Sequence, residues 1–492
     1  MNGKCYIALD LGGSARCVVG SFDGKTLALE TIARFANPFV RTLGWVYWDA
    51  LGLFAALTES LRQVAERHER SALAGLGVDA MGGAFALLDG NGELLGNPRY
   101  SRLPQRAAVL TEAFGRVPPE DIFAQTGLQP GKLRALYGLL ELQLAGSPQL
   151  KAAQTLLMLP DLLNYWLSGR MAAEYTIAST SQLLDARTRD WARPLLAAMQ
   201  LPTHILPEIV QPGQALGSLH PTVIADTGLP PLPVIATVSH DTAAAIAAVP
   251  VATESWAFLS SGTWGMVGAE RTAPILTDQA RKLGFSNEGG AGGTVRFTHN
   301  NLNLWLLQGC QQAWRRQGQD PDWNALVRLA GESEPFLAVI DPNHPAFLMP
   351  DDMPQAIRAF CRDTGQVVPQ TPGQIVRVIL ESLALMYRDA VDRLAEVQGR
   401  RPEWLYLIGG GGYNRLLNQF AANATGLPVS VGPFEATAAG NMIMQMIALG
   451  DLSGVAEGRE LICRSFPTET FVPQDTAMWD EHVRRYGETT SS

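Results

Sequence analysis

The sequence predicts an α/β protein made of two duplicated domains with a cleft between them, and three observations carry that prediction. A chain of 492 residues exceeds what a single hydrophobic core organises. Two segments about half a chain apart, 5–22 (CYIALDLGGSARCVVGSF) and 256–268 (WAFLSSGTWGMVG), read alike as strand, small hydroxyl-rich turn, strand. Patterns of strand and helix then alternate along both halves.

The two hairpins come first. With only Gly, Ser and Thr at their tips, no bulky side chain keeps phosphate oxygens from the backbone N–H groups. One such turn would serve equally as an ordinary hairpin. Two of them fit a duplicated plan in which each domain clamps one side of a nucleotide phosphate chain. Residues 27–36 continue as a third strand, and Leu53, Leu57, Leu61 and Val64 recur at helical spacing over 50–69. Residues 73–79 and 84–89 read as strands, the second closed by the turn GNGE. Residues 151–168 read as a helix ending at Ser168-Gly169. The Pro-rich stretch 228–234 stands where a second domain would begin, or leads into its first strand, 232–238. Beyond it the pattern gives a long helix over 373–399, a buried strand over 404–409 running into four glycines, helix 413–425, strand 427–431 and helix 435–449. The expected domains are 1–245 and 246–492.

Composition narrows the function classes. Hydrophobic residues make up 47% and charged residues 17%, as in a packed enzyme rather than a disordered or fibrous chain. A net charge of −9 without a long Lys/Arg run argues against a general nucleic-acid backbone binder. Five scattered cysteines without a CxxC pair suggest reduced thiols and offer no metal spacing. The start, MNGKCYIALDLGG, has no signal-peptide apolar core, and no stretch has the length of a membrane helix. The expectation is a cytoplasmic protein with neither nucleic acid nor membrane as a partner, compatible with a homo-oligomer.

Three elements carry chemistry. Asp10 ends the first strand, directly before Gly12-Gly13-Ser14. A carboxylate beside a phosphate-cradling turn is repulsive unless a cation sits between them, so Asp10 is the candidate Mg2+ ligand; the alternative is a turn cap. Ser239-His240-Asp241-Thr242 follows a strand and opens an Ala-rich segment. Asp241 is therefore positioned to orient a hydroxyl nucleophile and accept its proton, or to act as an ordinary N-cap. Gly409-Gly410-Gly411-Gly412, between a buried strand and a helix, lacks the Lys-Ser/Thr of a P-loop. It would let a flat ring such as adenine lie on the backbone, or would simply be a tight turn. No HExxH or GxSxG motif is present.

In order and spacing these elements resemble the FGGY family of carbohydrate kinases, most closely its rhamnulokinase branch. The resemblance runs over nearly the whole chain. It rests on WVYWD (45–49), LMLPDLLNYWLSGRMAAEYTIASTSQLLD (157–185), SHDTAAAI (239–246), FLSSGTWG (258–265), NEGG (287–290), LWLLQ (304–308) and LIGGGGYNRLLNQFAANATGLPVSVGPFEATAAGN (407–441). It implies an actin-like (ribonuclease H-like) ATPase fold and transfer of the ATP γ-phosphate to a sugar hydroxyl with Mg2+. It implies Asp241 as proton acceptor, with Gly82, His240, Thr242 and Asn300 at the sugar. Gly12, Gly13, Ser14, Gly262, Thr263, Gln308, Gly410, Gly411 and Asn414 fall on the nucleotide side.

The sugar side departs from the pattern. Ala80-Met81-Gly82-Gly83-Ala84-Phe85 stands where rhamnulokinases read TWGVDF, and Tyr100-Ser101-Arg102-Leu103-Pro104 replaces a YRDSR-like stretch. The loss of two carboxylates leads to the expectation of a substrate other than L-rhamnulose: another ketose, a polyol or a sugar acid, as in fuculose- or xylulose-like kinases. Outside the enzymes, an actin- or Hsp70-like nucleotide switch shares the paired hairpins.

Overall fold

Lys4–Leu11 (β1) and Ala15–Phe22 (β2) pair antiparallel with Asp10 opposite Arg16, and Leu27–Phe35 (β3) pairs antiparallel with β2. After helix α1 (Ala50–Arg67), strand β4 (Leu73–Ala80) lies parallel to β1. Strand β5 (Gln214–Ser218) runs antiparallel to β6 (Pro233–Ala236), which is parallel to β4. The sheet order is β5-β6-β4-β1-β2-β3. Helix α2 (Asp241–Ala247) follows β6.

The computed structural model describes residues 3–12, 15–37, 39–43, 45–99, 107–131, 134–251 and 253–491. They form two compact units, one of 1–250, 270–297 and 435–466, the other of 251–269, 298–434 and 467–492. In the first unit, seven consecutive residues of β1 are buried, the continuous run of a strand covered on both faces. On one face Ile7, Leu9 and Val78 share a core with Leu53, Leu57, Leu61 and Val64 of α1. Asp49 caps that helix by accepting the Gly52 N–H at 3.0 Å.

The second unit repeats the plan. Trp256–Ser261 (β7) and Trp264–Arg271 (β8) form its hairpin, with the end of Val295–Leu302 (β9) beyond β8. Helix α3 (Pro372–Gln398) precedes Trp404–Ile408 (β10), which is parallel to β7. A capping box between Thr371 and Gln374, with Pro372 in the first turn, starts α3, and Gly399 in the left-handed region ends it. Helix α4 (Arg415–Thr425) leads to Val429–Val431 (β11), parallel to β10, and Glu469–Phe471 (β12) closes the edge antiparallel. The succession β9-β8-β7-β10-β11-β12 matches β3-β2-β1-β4-β6-β5 position for position.

The next helix, α5 (Ala436–Ala448), belongs to the first unit, on the second face of its sheet. Asn441 Nδ2 donates to Asp79 Oδ2 at 2.6 Å, and Gln445 Nε2 donates to the Ile7 carbonyl at 2.9 Å and to Asn441 Oδ1 at 2.8 Å. Two expectations are corrected. Residues 151–168 are not one helix: Thr155–Met158 is a strand pairing with Phe85–Leu88, and a helix follows over Leu159–Ser168. The unbroken apolar run Leu156–Leu159 fits either period, and the strand partner decides it. The segment 232–238 leads into β6, a strand of the first unit's sheet rather than the opening of a second domain.

Candidate active site

Asp241 is the first residue of α2, and the backbone before it is tightly anchored. The Ala80 N–H donates to the Ser239 carbonyl at 2.9 Å, the Ser239 N–H to Glu174 Oε2 at 3.1 Å, and the His240 N–H to Thr176 Oγ1 at 3.3 Å. Asp241 Oδ1 accepts from the Thr242 N–H at 2.5 Å and from Thr242 Oγ1 at 3.0 Å. A Cβ on Gly12 would stand 3.2 Å from Asp10 Oδ1 and 3.3 Å from Asp241 Oδ2, so the β1–β2 tip and the start of α2 converge. Gly82 joins them. A Cβ there would lie 2.8 Å from Thr180 Oγ1 and 3.4 Å from His240 Cδ2, which only glycine accommodates without displacing the wall. Gly82, His240, Asp241, Thr242, Asp10 and Gly12 thus meet in one unit. Gly13 and Ser14 of the same turn, and residues 100–106 of the altered sugar segment, lie outside the described residues.

Charge shapes this site. Burial, reinforced by the neighbouring Asp10 charge, pushes the Asp241 carboxyl up to about 6. A quarter of its side chain is nevertheless exposed, so a substrate can reach it. Burial, and then Arg296, push His240 down to about 3, leaving a neutral imidazole whose Nε2 is 3.8 Å from Asp241 Oδ1. Asp79, beside Asp10 in the parallel register, is held well above the carboxylate range by burial and by the Asp10 charge. Asp10 itself accepts the Gly12 N–H at 3.0 Å on Oδ1 and Arg16 at 2.6 and 2.8 Å on Oδ2, while Arg16 also pairs with Glu435. Among the described residues no three His, Cys, Asp or Glu side chains converge closely enough to hold a metal by themselves.

Sequence reasoning missed a buried ionic cluster behind His240. Glu288 Oε2 accepts from Arg296 Nη2 at 3.0 Å, and its Oε1 accepts from Arg134 Nη1 at 2.9 Å. Arg134 Nη1 also donates to the Thr180 carbonyl at 3.2 Å, and Arg296 Nε to the Gly289 carbonyl at 2.8 Å. Burial opposes the charge on Glu288, but the two guanidinium groups hold its carboxyl down at about 2. A partial signal existed: Arg296 stands between the apolar Val295 and Phe297, and a charge buried there needs a partner.

In the second unit the β7–β8 tip meets the glycine turn. A Cβ on Gly411 would overlap the Ser261 hydroxyl, whereas the space beside Gly410 is open. Ser261 Oγ accepts from Asn303 Nδ2 at 2.9 Å, and Asn303 Oδ1 accepts from Tyr387 at 2.5 Å, a buried brace that the sequence did not suggest. Thr263 Oγ1 donates to Gln308 Oε1 at 3.2 Å, and the Gly262 N–H to the Trp264 carbonyl at 3.0 Å. Asn414 caps α4 through the Leu417 N–H at 3.1 Å. Asn300 is exposed on β9, in the unit of Thr263 rather than that of Gly82.

Comparison with known proteins agrees with this arrangement. Residues 5–247 match the N-terminal domain of the FGGY family of carbohydrate kinases, and residues 257–449 match its C-terminal domain. The chain is 42% identical over 476 residues to a rhamnulokinase of Bacteroides thetaiotaomicron, covering 96% of this chain and 97% of the relative. A rhamnulokinase of Enterococcus faecalis is 36% identical over 472 residues, covering 95% and 94%. Among solved structures, a gluconate kinase from Lactobacillus acidophilus superposes with a TM-score of 0.83 at 16% identity, covering 99% and 98% of the two chains. Glycerol kinase of Plasmodium falciparum with ADP gives 0.80 at 16% identity over the same shares. These two likenesses establish the actin-like α/β fold. Matched along nearly its whole length, the chain belongs to the FGGY family of carbohydrate kinases, ATP-dependent phosphotransferases that use an alcohol group as acceptor.

Proposed function

We propose that this kinase phosphorylates a small ketose of the rhamnulose type, with Asp241 as the base. The observation that carries the reading is the Asp241 carboxylate, partly exposed beside Gly12, Gly82 and His240 and shifted to about 6. At neutral pH such a group is ionised yet basic enough to take a hydroxyl proton. A sugar hydroxyl held by Gly82, His240 and Thr242 gives its proton to Asp241 as its oxygen attacks the terminal phosphorus of ATP. The new O–P bond forms as the bond to the leaving ADP oxygen breaks. On this reading residues 1–245 supply the acceptor side and 246–492 the donor side, where Asn300 also contributes to the sugar. Backbone N–H groups at Gly12-Gly13-Ser14 and Gly262-Thr263, with Gln308, take the phosphates, and Gly410, Gly411 and Asn414 take the adenosine end.

Mg2+ would neutralise charge on the transferring phosphoryl group. Asp10 suits it through water, since both of its oxygens already accept protein hydrogen bonds while the Asp241 carboxylate also faces the Gly12 tip. The five cysteines, all free and four of them buried, fit a reducing cytoplasm.

Rhamnulose is favoured among sugars by the 42% identical relative. The contrary expectation leaned on Met81, Gly83 and Ala84. Ala84, however, is 3% exposed and packs within the apolar core. The test is kcat/KM over a panel of ketoses, polyols and sugar acids with ATP and Mg2+. A maximum for L-rhamnulose is expected; a maximum for fuculose, xylulose, a polyol or a sugar acid reassigns the substrate.

A further inference from the structure

Beyond the glycine turn, the second unit carries an aromatic pair with no assigned role. Tyr413 is 70% exposed and Phe434 is 43% exposed. Their rings are stacked, with centroids 4.2 Å apart and planes 9° from parallel. Soluble proteins seldom leave two such rings in water without a use.

Their position in the unit narrows that use. Tyr413 closes the short turn Gly410–Tyr413 after β10, and Phe434 follows β11. The Ser261–Thr263 tip follows β7, and β7, β10 and β11 are parallel neighbours. All three features therefore stand at the carboxyl ends of adjacent parallel strands, where open α/β sheets bind ligands. Phe434 also packs against the turn itself, since a Cβ on Gly412 would come within 3.2 Å of its Cε1. Read along that edge, the unit presents a hydroxyl and carboxamide pair at Thr263 and Gln308, the bare backbone at Gly410, and then the outer face of Tyr413.

We infer that Tyr413, backed by Phe434, is the surface on which the nucleobase of the phosphate donor stacks. This deepens the proposed function and rests on the reading that the donor lies along the second unit. Phe434 already occupies one face of Tyr413, fixing its ring plane and leaving the other face for a base. Stacking needs only a π-face, so the platform favours flat purines by area and discriminates weakly between adenine and guanine.

The test compares ATP with inorganic tripolyphosphate, which offers the phosphates without a base, in equilibrium binding to the full chain. Tyr413→Ala should weaken ATP by about tenfold, the scale of one base–aromatic contact. Tripolyphosphate affinity and the KM for sugar should stay within about twofold of wild type. Tyr413→Phe should restore ATP binding, and Phe434→Ala should weaken it by a smaller factor. Unchanged ATP affinity in Tyr413→Ala overturns the inference, and so does an equal loss for ATP and tripolyphosphate. Gly410→Val provides the separate check: if it leaves ATP affinity intact, the donor-site reading itself fails. The high exposure of Tyr413 makes loss of folding in its variants an unexpected outcome, checked by thermal unfolding.

Discussion

Asp241 shows how one residue acquires its chemistry from its surroundings. At the first turn of α2 its charge gains from the helix N-terminus, while burial and Asp10 oppose ionisation more strongly, and the carboxyl settles near 6. Asp241→Asn keeps the shape and, on the proposed assignment, removes the base. It should lower kcat by about 10²–10⁴ while ATP affinity stays close to wild type; a variant retaining a tenth of wild-type turnover would show that another group takes the proton. The pH dependence follows from the same shift. The base works only when ionised, so kcat/KM should rise with pH through a limb near 6 and flatten above it. A profile that stays flat down to pH 5 would contradict the assignment. Nothing in the residue order announces this value, because Asp10 and Asp79 reach Asp241 only through the sheet.

At the scale of elements, the strand ends and the short helix Tyr175–Ser179 are held together by buried ions rather than by apolar packing alone. Glu288 links Arg134 and Arg296, and Arg134 in turn holds the Thr180 carbonyl that follows that helix. Glu288→Gln would leave two guanidinium groups without their counter-charge, a loss of about 3–5 kcal/mol at pH 7. The sign of its pH dependence is set by the depressed carboxyl. Its contribution is complete above the ordinary Glu value of 4.5 and disappears as pH falls through about 2. Urea midpoints for wild type and Glu288→Gln should accordingly differ most at neutral pH and converge between pH 4.5 and 2. A constant gap would mean that the cluster is held by packing. NEGG stood out in the sequence, but a motif does not say which distant arginines will face it.

For the whole molecule, the duplicated sheets are the frame on which the proposed donor and acceptor sites divide. Hydrogen exchange offers a direct reading of that division. ATP alone should protect amides at 261–263 and 409–414, and the sugar alone those at 80–82 and 239–242. Protection of the glycine turn by sugar alone would reverse the assignment. Much of this was legible beforehand: the two hairpins, the strand before the glycine turn and the Ser239–Thr242 segment are local patterns, fixed by the period of apolar residues and by small residues at turns. Strand 155–158 was not, because four apolar residues suit helix or strand until Phe85–Leu88 pairs with them. Neither was the return of α5 to the first unit, because that helix lies far along the chain from strand β4, whose Asp79 it meets through Asn441. Sequence by itself determined the α/β class and the repeat and pointed to Asp241 as the candidate base, since these depend on neighbours in the chain. Tertiary structure alone decided the acidity of Asp241, the ionic cluster behind His240 and the stacked pair Tyr413–Phe434, because desolvation, Coulomb interaction and ring contact depend on distances in space.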